Sequence, residues 1–322
     1  SVCSRPTHVP QPHPNMSLAL IFPGQGSQHV GMTRALAEAY PAAGEVLRTA
    51  DDVLGFPLSR LMAEGPEDEL TATKNAQPAL LTHAVAVLRV VQDRLPPVEM
   101  AAGHSLGEFS AHVAAGTLTF EDALGAVRLR GELMHNAGVT RPGTMAAILG
   151  LDDHTVEDLC TRVEAGICVP ANFNSEGQVV VSGDLKGVEE GMALAREAGA
   201  KKVVELKVSG AFHSPLMEPA ADGLRDHLET LTFHDPSYPV YSNATAERVR
   251  TGAMARDLLV KQLTSPVRWA ATVSHMVTHG ADRFLELGPG KVLSTLNRRN
   301  AKGLPSTWLG EPGDITSWEA SE

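Results

Sequence analysis

"EMAAGHSLGEFSAHVAA", residues 99–115, contains a short apolar stretch, a pentapeptide with two glycines, and a segment with helical periodicity. The pentapeptide, residues 103–107, fits the pattern G-x-S-x-G. Between a strand and a helix, such glycines permit a tight, strained turn that exposes the serine hydroxyl at the helix N-terminus. In a chance match the serine would only cap the helix. This context predicts Ser105 as a nucleophile, and the N–H of Leu106 and the helix dipole as stabilisers of negative charge on a bound acyl oxygen.

The segments on either side of this stretch alternate between strand and helix patterns. Short apolar runs predict strands, and apolar residues at helical spacing predict helices. The alternation favours an α/β fold, here an α/β-hydrolase-like large domain with a mostly parallel sheet. Strands are predicted at residues 18–22, 99–102, 239–243 and 283–287, and helices at residues 32–49, 77–94, 105–115, 121–136 and 216–231, with two more between 253 and 279 and one after 291.

From residue 143 the predicted order becomes strand, helix, strand, strand, helix, strand. This order is typical of a ferredoxin-like (βαββαβ) small subdomain, residues 143–208, inserted into the larger one. The large subdomain then comprises residues 16–142 and 209–310, and residues 311–322 form a tail without clear periodicity. Residues 1–15 have four prolines and no acidic residue, which predicts a disordered leader, a cloning remnant or an artefact of an upstream start.

The composition argues against several classes of protein. The 322 residues are 43% hydrophobic, which is enough for a full core. The 27 basic and 38 acidic side chains give a net charge of −11, which disfavours nucleic acid as the main partner. No apolar run approaches the roughly 18 residues of a membrane span. Three cysteines, Cys3, Cys160 and Cys168, lack metal-ligand spacing, so we expect no metal site, buried thiols, and a reducing compartment, the cytoplasm.

A serine nucleophile needs a base, because an unaided hydroxyl is a weak nucleophile. Among 13 histidines, His213 is the strongest candidate, since it follows a predicted strand and precedes a predicted helix. A side chain in such a loop can project over the carboxyl edge of the sheet. From the residues alone, a structural or solvated histidine remains the more common case. His104, next to the serine, is expected to support the turn or to shape the pocket.

A second glycine-rich loop, "IFPGQGSQ" at residues 21–28, follows the first predicted strand. A dinucleotide-binding loop would need a third glycine at position 29, where this sequence has histidine. A phosphate-binding P-loop would need a Lys-Ser or Lys-Thr pair, which this loop lacks; "GPGKVL", residues 288–293, also fails that pattern. We therefore expect the backbone of this loop and the Gln25 side chain to donate hydrogen bonds to an oxyanion.

Seven motifs occur in an order and spacing that resemble a known family. The resemblance is to the bacterial malonyl-CoA:acyl-carrier-protein transacylases and the acyltransferase domains of polyketide and fatty-acid synthases. It covers nearly the whole chain, about residues 18–300. The motifs are "FPGQGSQ", "QPAL", "GHSLGE", "LRGELM", "NFNSEGQVVVSG", "GAFHS" and "LGPGKVL".

The resemblance implies a role for each catalytic residue. Ser105 is the nucleophile that becomes malonylated, and His213 is its base and later its acid. Gln25 and the N–H of Leu106 form the oxyanion hole. The backbone carbonyl of Gln262 orients the histidine. A carbonyl can accept the Nδ1–H of an imidazole and so fix its tautomer, which makes a dyad sufficient.

The resemblance also implies how the acyl group is selected. Arg130 resembles the arginine that binds the free carboxylate of the malonyl group, and a guanidinium can do so with two parallel charged hydrogen bonds. Without the resemblance, a solvated helix arginine would be the commoner interpretation. Leu106 and Phe212 match the malonyl-selective pattern of the acyltransferase domains. Gly210 and Ala211 occupy positions at which family members vary.

The implied partners are malonyl-CoA and an acyl carrier protein. CoA is a leaving group, and neither half-reaction requires a metal or another cofactor. Carrier proteins are acidic, so docking on this acidic chain requires a local basic patch. The candidate residues form two clusters: Lys201, Lys202 and Lys207, and Arg298, Arg299 and Lys302.

Two other functions stay open at this point. A serine esterase or patatin-like hydrolase would use water as acceptor, and a patatin-like dyad would need an Asp-Gly-Gly or Asp-Gly-Ala turn. The only Asp-Gly pair, Asp222-Gly223, is followed by leucine inside a predicted helix. A non-catalytic scaffold would need neither a nucleophile nor a base. The pathway also stays open, either fatty-acid synthesis, the expected one, or polyketide synthesis.

Overall fold

The structure is a computed structural model that describes residues 16–322. The predicted leader, residues 1–15, lies outside the described residues. In chain order the strands are β1 (Leu18–Phe22), β2 (Val98–Gly103), β3 (Gly143–Leu149), β4 (Cys168–Ser175), β5 (Gln178–Asp184), β6 (Lys202–Glu205), β7 (Val240–Tyr241), β8 (Arg248–Val249), β9 (Arg283–Leu287) and β10 (Ser306–Leu309).

The α-helices, in the same order, are α1 (Arg34–Ala39), α2 (Pro41–Leu54), α3 (Leu58–Glu64), α4 (Glu67–Thr71), α5 (Thr73–Val91), α6 (Gly107–Ala114), α7 (Phe120–Thr140), α8 (Asp153–Thr161), α9 (Leu185–Glu197), α10 (Glu218–Leu228), α11 (Gly252–Gln262), α12 (Trp269–Thr278), α13 (Val292–Asn300) and α14 (Pro312–Ser321). Short 3₁₀ helices lie at Gln92–Arg94 and Pro215–Met217.

Six strands form the main sheet, in the order β10-β9-β1-β2-β7-β8. All neighbouring strands are parallel except β7 and β8. β1 is fully buried, and its alternate residues join two different cores. Leu18, Leu20 and Phe22 pack on one face of the sheet, and Ala19 and Ile21 on the other. Burial on both faces explains why this strand reads as a continuous apolar run.

The remaining four strands form an antiparallel sheet in the order β4-β5-β3-β6. Together with α8 and α9 they follow the predicted βαββαβ order, and they have a core of their own. The predicted fold class, a mostly parallel α/β unit with a small inserted antiparallel unit, is confirmed. Backbone hydrogen bonds from Phe173 to Val267 (2.9 Å) and from Val267 to Ala171 (2.7 Å) join the two units. The division at residues 142/143 and 208/209 stays a prediction.

The helix predicted at residues 32–49 is in fact two helices, α1 and α2. Tyr40 between them is extended, with φ −132° and ψ 116°, and Pro41 is the first residue of α2. Proline disfavours a helical conformation in the residue before it and suits the first position of a helix. The apolar periodicity continues across the break, so the pattern alone predicted one helix.

Residues 311–322, for which we predicted a tail without periodicity, form helix α14. Its start is fixed by a capping box, in which Glu311 and Asp314 each accept a hydrogen bond from the backbone at the other residue. Only Ile315 and Trp318 are buried. Two apolar residues one turn apart are too few to produce a periodic pattern, although they are enough to hold the helix against the core.

Helix α5 begins at Thr73, one turn before the predicted start, and contains Pro78. A proline inside a helix has no N–H for the carbonyl four residues earlier. That carbonyl belongs to Lys74 and accepts instead from Arg128 Nη1 of α7 (2.9 Å). A Cβ at Gly131 of α7 would lie 2.7 Å from the Lys74 Cα. The two helices therefore pack closely, which brings the first turns of α5 next to the middle of α7.

Candidate active site

Ser105 occupies a strained turn between β2 and α6. Its φ is +51°, a left-handed conformation that is uncommon outside glycine. A Cβ at Gly103 would lie 1.9 Å from the carbonyl of Gly107, and a Cβ at Gly107 would lie 2.2 Å from the carbonyl oxygen of Phe22. Both positions therefore require glycine, since neither backbone contact can yield. The turn has the form of the predicted nucleophile elbow.

His213 faces the serine. Its Nε2 lies 2.8 Å from Ser105 Oγ, and its Nδ1 lies 2.9 Å from the backbone oxygen of Gln262. Because a carbonyl oxygen can only accept, Nδ1 carries the proton, and Nε2 is left to accept the serine proton. The ring is 4% exposed, and its residue has a φ of +58°. The structure thus assembles a serine, an imidazole and a carbonyl in the arrangement of a catalytic dyad.

Burial lowers the pKa of His213 to about 3, and the positive charge of Arg130 acts in the same direction. The hydrogen bond to Gln262 opposes this shift. A neutral imidazole is the form that can remove a proton from a hydroxyl. His213 is therefore ready to act as a base at neutral pH.

The rate of acylation of Ser105 is expected not to fall as the pH is lowered through 6.5, the pKa of an ordinary histidine. Since the pKa of His213 is about 3 in the folded protein, its Nε2 stays unprotonated as the pH falls from about 8 to about 5. Measuring kcat/KM for an acyl-CoA over this range tests the prediction. A rate that halves near pH 6.5 would contradict it.

A denaturation series over the same range is the control for this pH profile. The unfolded chain binds a proton at His213 more readily than the folded chain, because the folded pKa is lower. The free energy of unfolding is therefore expected to fall as the pH drops below about 6.5. Activity must be compared only where the protein remains folded.

Arg130 lies in α7 and is 1% exposed. Its Nη1 donates to Gln77 Oε1 (2.7 Å), and its Nη2 donates to Gln262 Oε1 (2.7 Å) and to Ser105 Oγ (3.3 Å). Its Nε has no partner among the described residues. Burial lowers the pKa of Arg130 to about 10, an effect that the charge of Glu108 opposes. A charged guanidinium thus lies directly beside the Ser105 hydroxyl oxygen at neutral pH.

Asn243 holds the Ser105 turn by hydrogen bonds, and Glu108 in turn holds Asn243. Neither residue was predicted from the sequence as part of the site. Asn243 Oδ1 accepts from the Ser105 N–H (2.7 Å), and its Nδ2 donates to the Gly103 carbonyl (2.7 Å). Glu108 Oε1 accepts from the backbone N–H of Asn243 (2.6 Å), and Oε2 from Gln262 Nε2 (3.1 Å). Gln262 Nε2 also donates to the Ser105 carbonyl (3.0 Å). The Gln262 side chain, in addition to its backbone, therefore helps to hold the site.

Some signal for these two residues was present in the sequence. Glu108 lies three residues after Ser105, within the motif "GHSLGE", and Asn243 ends the predicted strand "PVYSN". Burial raises the pKa of Glu108 to about 8. The hydrogen bonds from Asn243 and Gln262 and the charge of Arg130 favour the ionised form and so oppose this increase. A buried carboxyl with a raised pKa and specific partners is a functional-site candidate, but burial cannot be read from a single motif.

The loop after β1 crosses the turn. Phe22 and Gly103 are paired at the ends of the parallel strands β1 and β2, and a Cβ at Gly24 would lie 2.4 Å from the His104 carbonyl oxygen. Gln25 is exposed, and its Oε1 accepts from the Thr73 hydroxyl (2.8 Å). Within residues 16–322, the backbone N–H groups of Gln25 and Leu106 donate to no protein group. The two N–H groups are thus free donors, one in this loop and one in the Ser105 turn, although Gln25 makes no hydrogen bond to Ser105 itself.

The other predicted site residues lie around this centre. His104 Nε2 is 2.8 Å from Asn174 Oδ1 of β4, so His104 links the turn to the small subdomain. Phe212 is 5% exposed and directly precedes the base. Asp222, considered above for a hydrolase dyad, lies in α10 and forms a surface ion pair with Arg225 (2.8 Å). Asp222 is thus a surface residue of a helix.

In residues 16–322, no three His, Cys, Asp or Glu side chains come together in a way that could hold a metal ion. Over the same range, no helix is both long enough and apolar enough to cross a membrane. Cys160 and Cys168 are buried free thiols with their Sγ atoms 3.9 Å apart.

Comparisons with known proteins point to one family. The family model of the acyl transferase domain matches residues 19–307. The malonyl CoA-acyl carrier protein transacylase of Bacillus subtilis is 44% identical over 300 residues, which cover 92% of this chain and 95% of that protein. The enzyme of the same name from Escherichia coli K12 is 44% identical over 301 residues, covering 93% and 97%.

Solved structures agree with this result. The malonyl-CoA:acyl carrier protein transacylase of Xanthomonas oryzae superposes with a TM-score of 0.92 at 41% identity, covering 95% of this chain and 98% of that one. A malonyl-transacylase solved in complex with a type II polyketide synthase acyl-carrier protein superposes with a TM-score of 0.91 at 40% identity, covering 95% and 100%. The match extends over both sheets and over the turn that carries Ser105, and the chain belongs to the acyl transferase family.

Proposed function

We propose that this protein transfers the malonyl group of malonyl-CoA to the phosphopantetheine thiol of an acyl carrier protein, through a malonyl ester on Ser105. The product supplies extender units for fatty-acid or polyketide synthesis. The observation that carries the proposal is the buried guanidinium of Arg130, 3.3 Å from the Ser105 hydroxyl oxygen. A permanent positive charge at this position suits an acyl group that ends in a carboxylate. The relatives named above support the same reaction.

In the first half-reaction, Ser105 Oγ attacks the thioester carbonyl carbon while His213 Nε2 takes the hydroxyl proton. Negative charge develops on the carbonyl oxygen, where the N–H of Leu106 and the donors of Gln25 stabilise it. The intermediate then expels CoA, whose sulfur receives the proton from His213. Ser105 Oγ, His213 Nε2 and the Gln262 carbonyl are aligned for this proton transfer.

The second half-reaction reverses these roles. His213 removes the proton of the carrier-protein thiol, and the sulfur attacks the malonyl ester. Ser105 Oγ leaves and regains a proton from His213. Both half-reactions are acyl exchanges between oxygen and sulfur, so the proposal includes no cofactor.

Selection of the acyl group is proposed to have two parts. The Arg130 guanidinium binds the distal carboxylate and so favours diacids. Phe212 and Leu106, which are 5% and 1% exposed, limit the space beside the serine and so exclude an α-methyl group. We also place the reaction in the cytoplasm, and the support for this is the odd number of cysteines in the sequence.

Labelling with malonyl-CoA tests the function. The protein is incubated with malonyl-CoA labelled in its malonyl group, and an acyl carrier protein is added afterwards. We expect a stable labelled protein whose label passes to the carrier-protein thiol. Rapid release of free malonate would instead identify a hydrolase, and a protein that takes up no label would identify a non-catalytic module.

The two basic clusters suspected from the sequence are proposed to form one docking surface. The hairpin turn between β4 and β5 lies between Arg299 of one cluster and Lys201 of the other, whereas Lys207 follows the far end of β6. Arg299 Nη1 donates to the Glu176 carbonyl in that turn (3.0 Å), while the Gly177 carbonyl accepts from Gly150, against which the Lys201 side chain packs. Residue 174, just before the turn, contacts His104. A carrier protein bound at this surface would be close to the Ser105 turn.

Charge reversal at this surface is expected to weaken carrier-protein binding alone. We predict that the double variant Lys201→Glu/Arg298→Glu raises the KM for carrier protein about tenfold at low salt and leaves that for malonyl-CoA unchanged. Arg299 is avoided because it holds the turn. The control is Arg89→Glu. Arg89 is exposed in the last turn of α5, and this helix leads into the first residues of β2, at the end of the sheet opposite to the Ser105 turn. Equal KM values for carrier protein in the double variant and in Arg89→Glu would refute the proposed docking surface.

A further inference from the structure

Glu108 is a buried carboxyl that takes no part in the proposed proton transfers. It lies in the first turn of α6, three residues after Ser105, and is 1% exposed. Its Oε1 accepts from the backbone N–H of Asn243 (2.6 Å), and its Oε2 accepts from Gln262 Nε2 (3.1 Å). Both partners are donors, so each carboxyl oxygen has to accept, which is the pattern of an ionised carboxylate. Glu108 is therefore available to hold other residues of the site in place.

The Gln262 side chain connects Glu108 to the buried guanidinium. Its Oε1 accepts from Arg130 Nη2 (2.7 Å), whereas its Nε2 donates to Glu108 and to the Ser105 carbonyl (3.0 Å). Reversing this amide would place its NH₂ group against the donors of Arg130 and its oxygen against two acceptors. Gln262 is fully buried, so water cannot replace either contact. The carboxylate and the guanidinium thus fix the same amide from its two ends.

The charges of Glu108 and Arg130 stabilise each other across this amide. The positive charge of Arg130 lowers the pKa of Glu108, and the negative charge of Glu108 raises the pKa of Arg130, in both cases against the effect of burial. The direct hydrogen-bond partners of Arg130 are two amide oxygens and a hydroxyl, and none of these groups is charged. Glu108 therefore supplies the negative charge that a buried guanidinium needs.

We propose that Glu108 is a positioning residue that fixes the Gln262 amide and, through it, the Arg130 guanidinium that selects the acyl group. The dyad and the selective arginine then share one support, because the backbone oxygen of Gln262 holds His213 and its side chain holds Arg130. This inference rests on the proposed function, and it adds a residue that does not touch the substrate.

The test is Glu108→Gln, which keeps the side-chain shape and replaces one oxygen with an NH₂ group. That group then faces either the Asn243 N–H or the Gln262 NH₂ group, so two donors oppose each other. We expect the ratio of kcat/KM for malonyl-CoA to that for acetyl-CoA to fall about tenfold, because the guanidinium is no longer held in place. The ratio is the measurement, since a disturbed Ser105 turn or a loss of folded protein lowers both values equally.

The assays are run at about pH 9, where both charges are present. The pKa of Glu108 is about 8 and that of Arg130 is about 10, so the carboxylate and the guanidinium are the populated forms at this pH. Any difference between the native protein and Glu108→Gln then reports the loss of the carboxylate.

The matched control is Glu286→Gln in β9. Glu286 is fully buried, and its oxygens accept from Leu293 and Ser294 at the start of α13. The substitution repeats the chemical change away from Gln262 and Arg130, so the malonyl preference should stay at the native value. Thermal melts of both variants measure any general loss of stability. Equal ratios in the two variants would overturn this inference alone, and a native protein that forms no malonyl-Ser105 would overturn the proposed function with it.

A second variant, Gln262→Met, removes the connecting amide and leaves the backbone oxygen that holds His213. It should also lower the ratio about tenfold, and an unchanged ratio would overturn the proposal even if Glu108→Gln does not fold. In the Gln262→Met background, Glu108→Gln should change the ratio by less than about twofold, since the amide that it orients is gone. Two losses that multiply would also overturn the proposal, because they would show that Glu108 acts on selection by another route.

Discussion

Replacing Ser105 with alanine is expected to abolish both malonyl labelling and transfer. The substitution removes the only atom to which the acyl group can be attached in the proposed cycle. Removal of a nucleophile from a serine–histidine site typically lowers kcat by at least about 10⁴-fold, and what remains comes from binding and the oxyanion hole. The measurement is mass spectrometry of the protein after incubation with malonyl-CoA, together with the rate of transfer to carrier protein.

The matched control for this variant is Ser110→Ala in the next turn of α6. Ser110 is 1% exposed, and its hydroxyl has no partner within residues 16–322. It thus undergoes the same change without loss of a hydrogen bond. The control should be labelled at the native rate. A labelled Ser105→Ala protein would show that another residue carries the acyl group.

Replacing Arg130 with alanine is expected to remove the preference for malonyl over acetyl groups. We predict that kcat/KM for malonyl-CoA falls by about 10²–10³-fold, as for loss of one partner from a buried charged pair, while that for acetyl-CoA is retained or raised. Alanine also leaves Gln77 Oε1 and Gln262 Oε1 without their donor, which destabilises the site. The ratio of the two kcat/KM values is therefore the measurement, since loss of folded protein lowers both equally.

Two further variants distinguish the guanidinium from charge alone. Arg130→Lys keeps a positive charge but cannot offer two parallel N–H groups, so an intermediate preference is expected. Arg128→Ala is the control, because Arg128 lies in the same helix but bonds to Lys74 and Asn75 instead of the site. A malonyl preference that is unchanged in Arg130→Ala would refute the proposed carboxylate site.

Local patterns in the sequence were sufficient for the architecture. The alternating strands and helices predicted a mostly parallel sheet, and the change of order after residue 142 predicted the antiparallel unit. Both predictions depend on periodicities within single segments, which a sequence displays directly. The boundaries were less accurate where proline or a helix cap decided them, as at Pro41 and Glu311, because one residue there outweighs the periodicity around it.

The candidate nucleophile could also be predicted locally, since the elbow of Ser105 is made by its neighbours in the chain. The Gly103 and Gly107 contacts show why glycine is required at both positions. His213 was one candidate among 13 histidines until the resemblance supported it. Sequence patterns do not show that its Nε2 lies 2.8 Å from a serine 108 residues away.

Only the tertiary structure decided which polar side chains meet around Ser105. Asn243 and Gln262 are 138 and 157 residues away along the chain, and they reach the turn because β7 pairs with β2 and because α11 ends beside it. The orientation of the Gln262 amide is fixed by Arg130, which can only donate, and that of the Asn243 amide by the Ser105 N–H. The strength of these hydrogen bonds depends on exclusion of water. The sequence by itself determined a strained serine on an α/β sheet. Sheet order and burial determined which charged groups and amides surround it. An amide acquires a defined orientation, and a carboxyl a shifted pKa, only from the groups that the fold places against them.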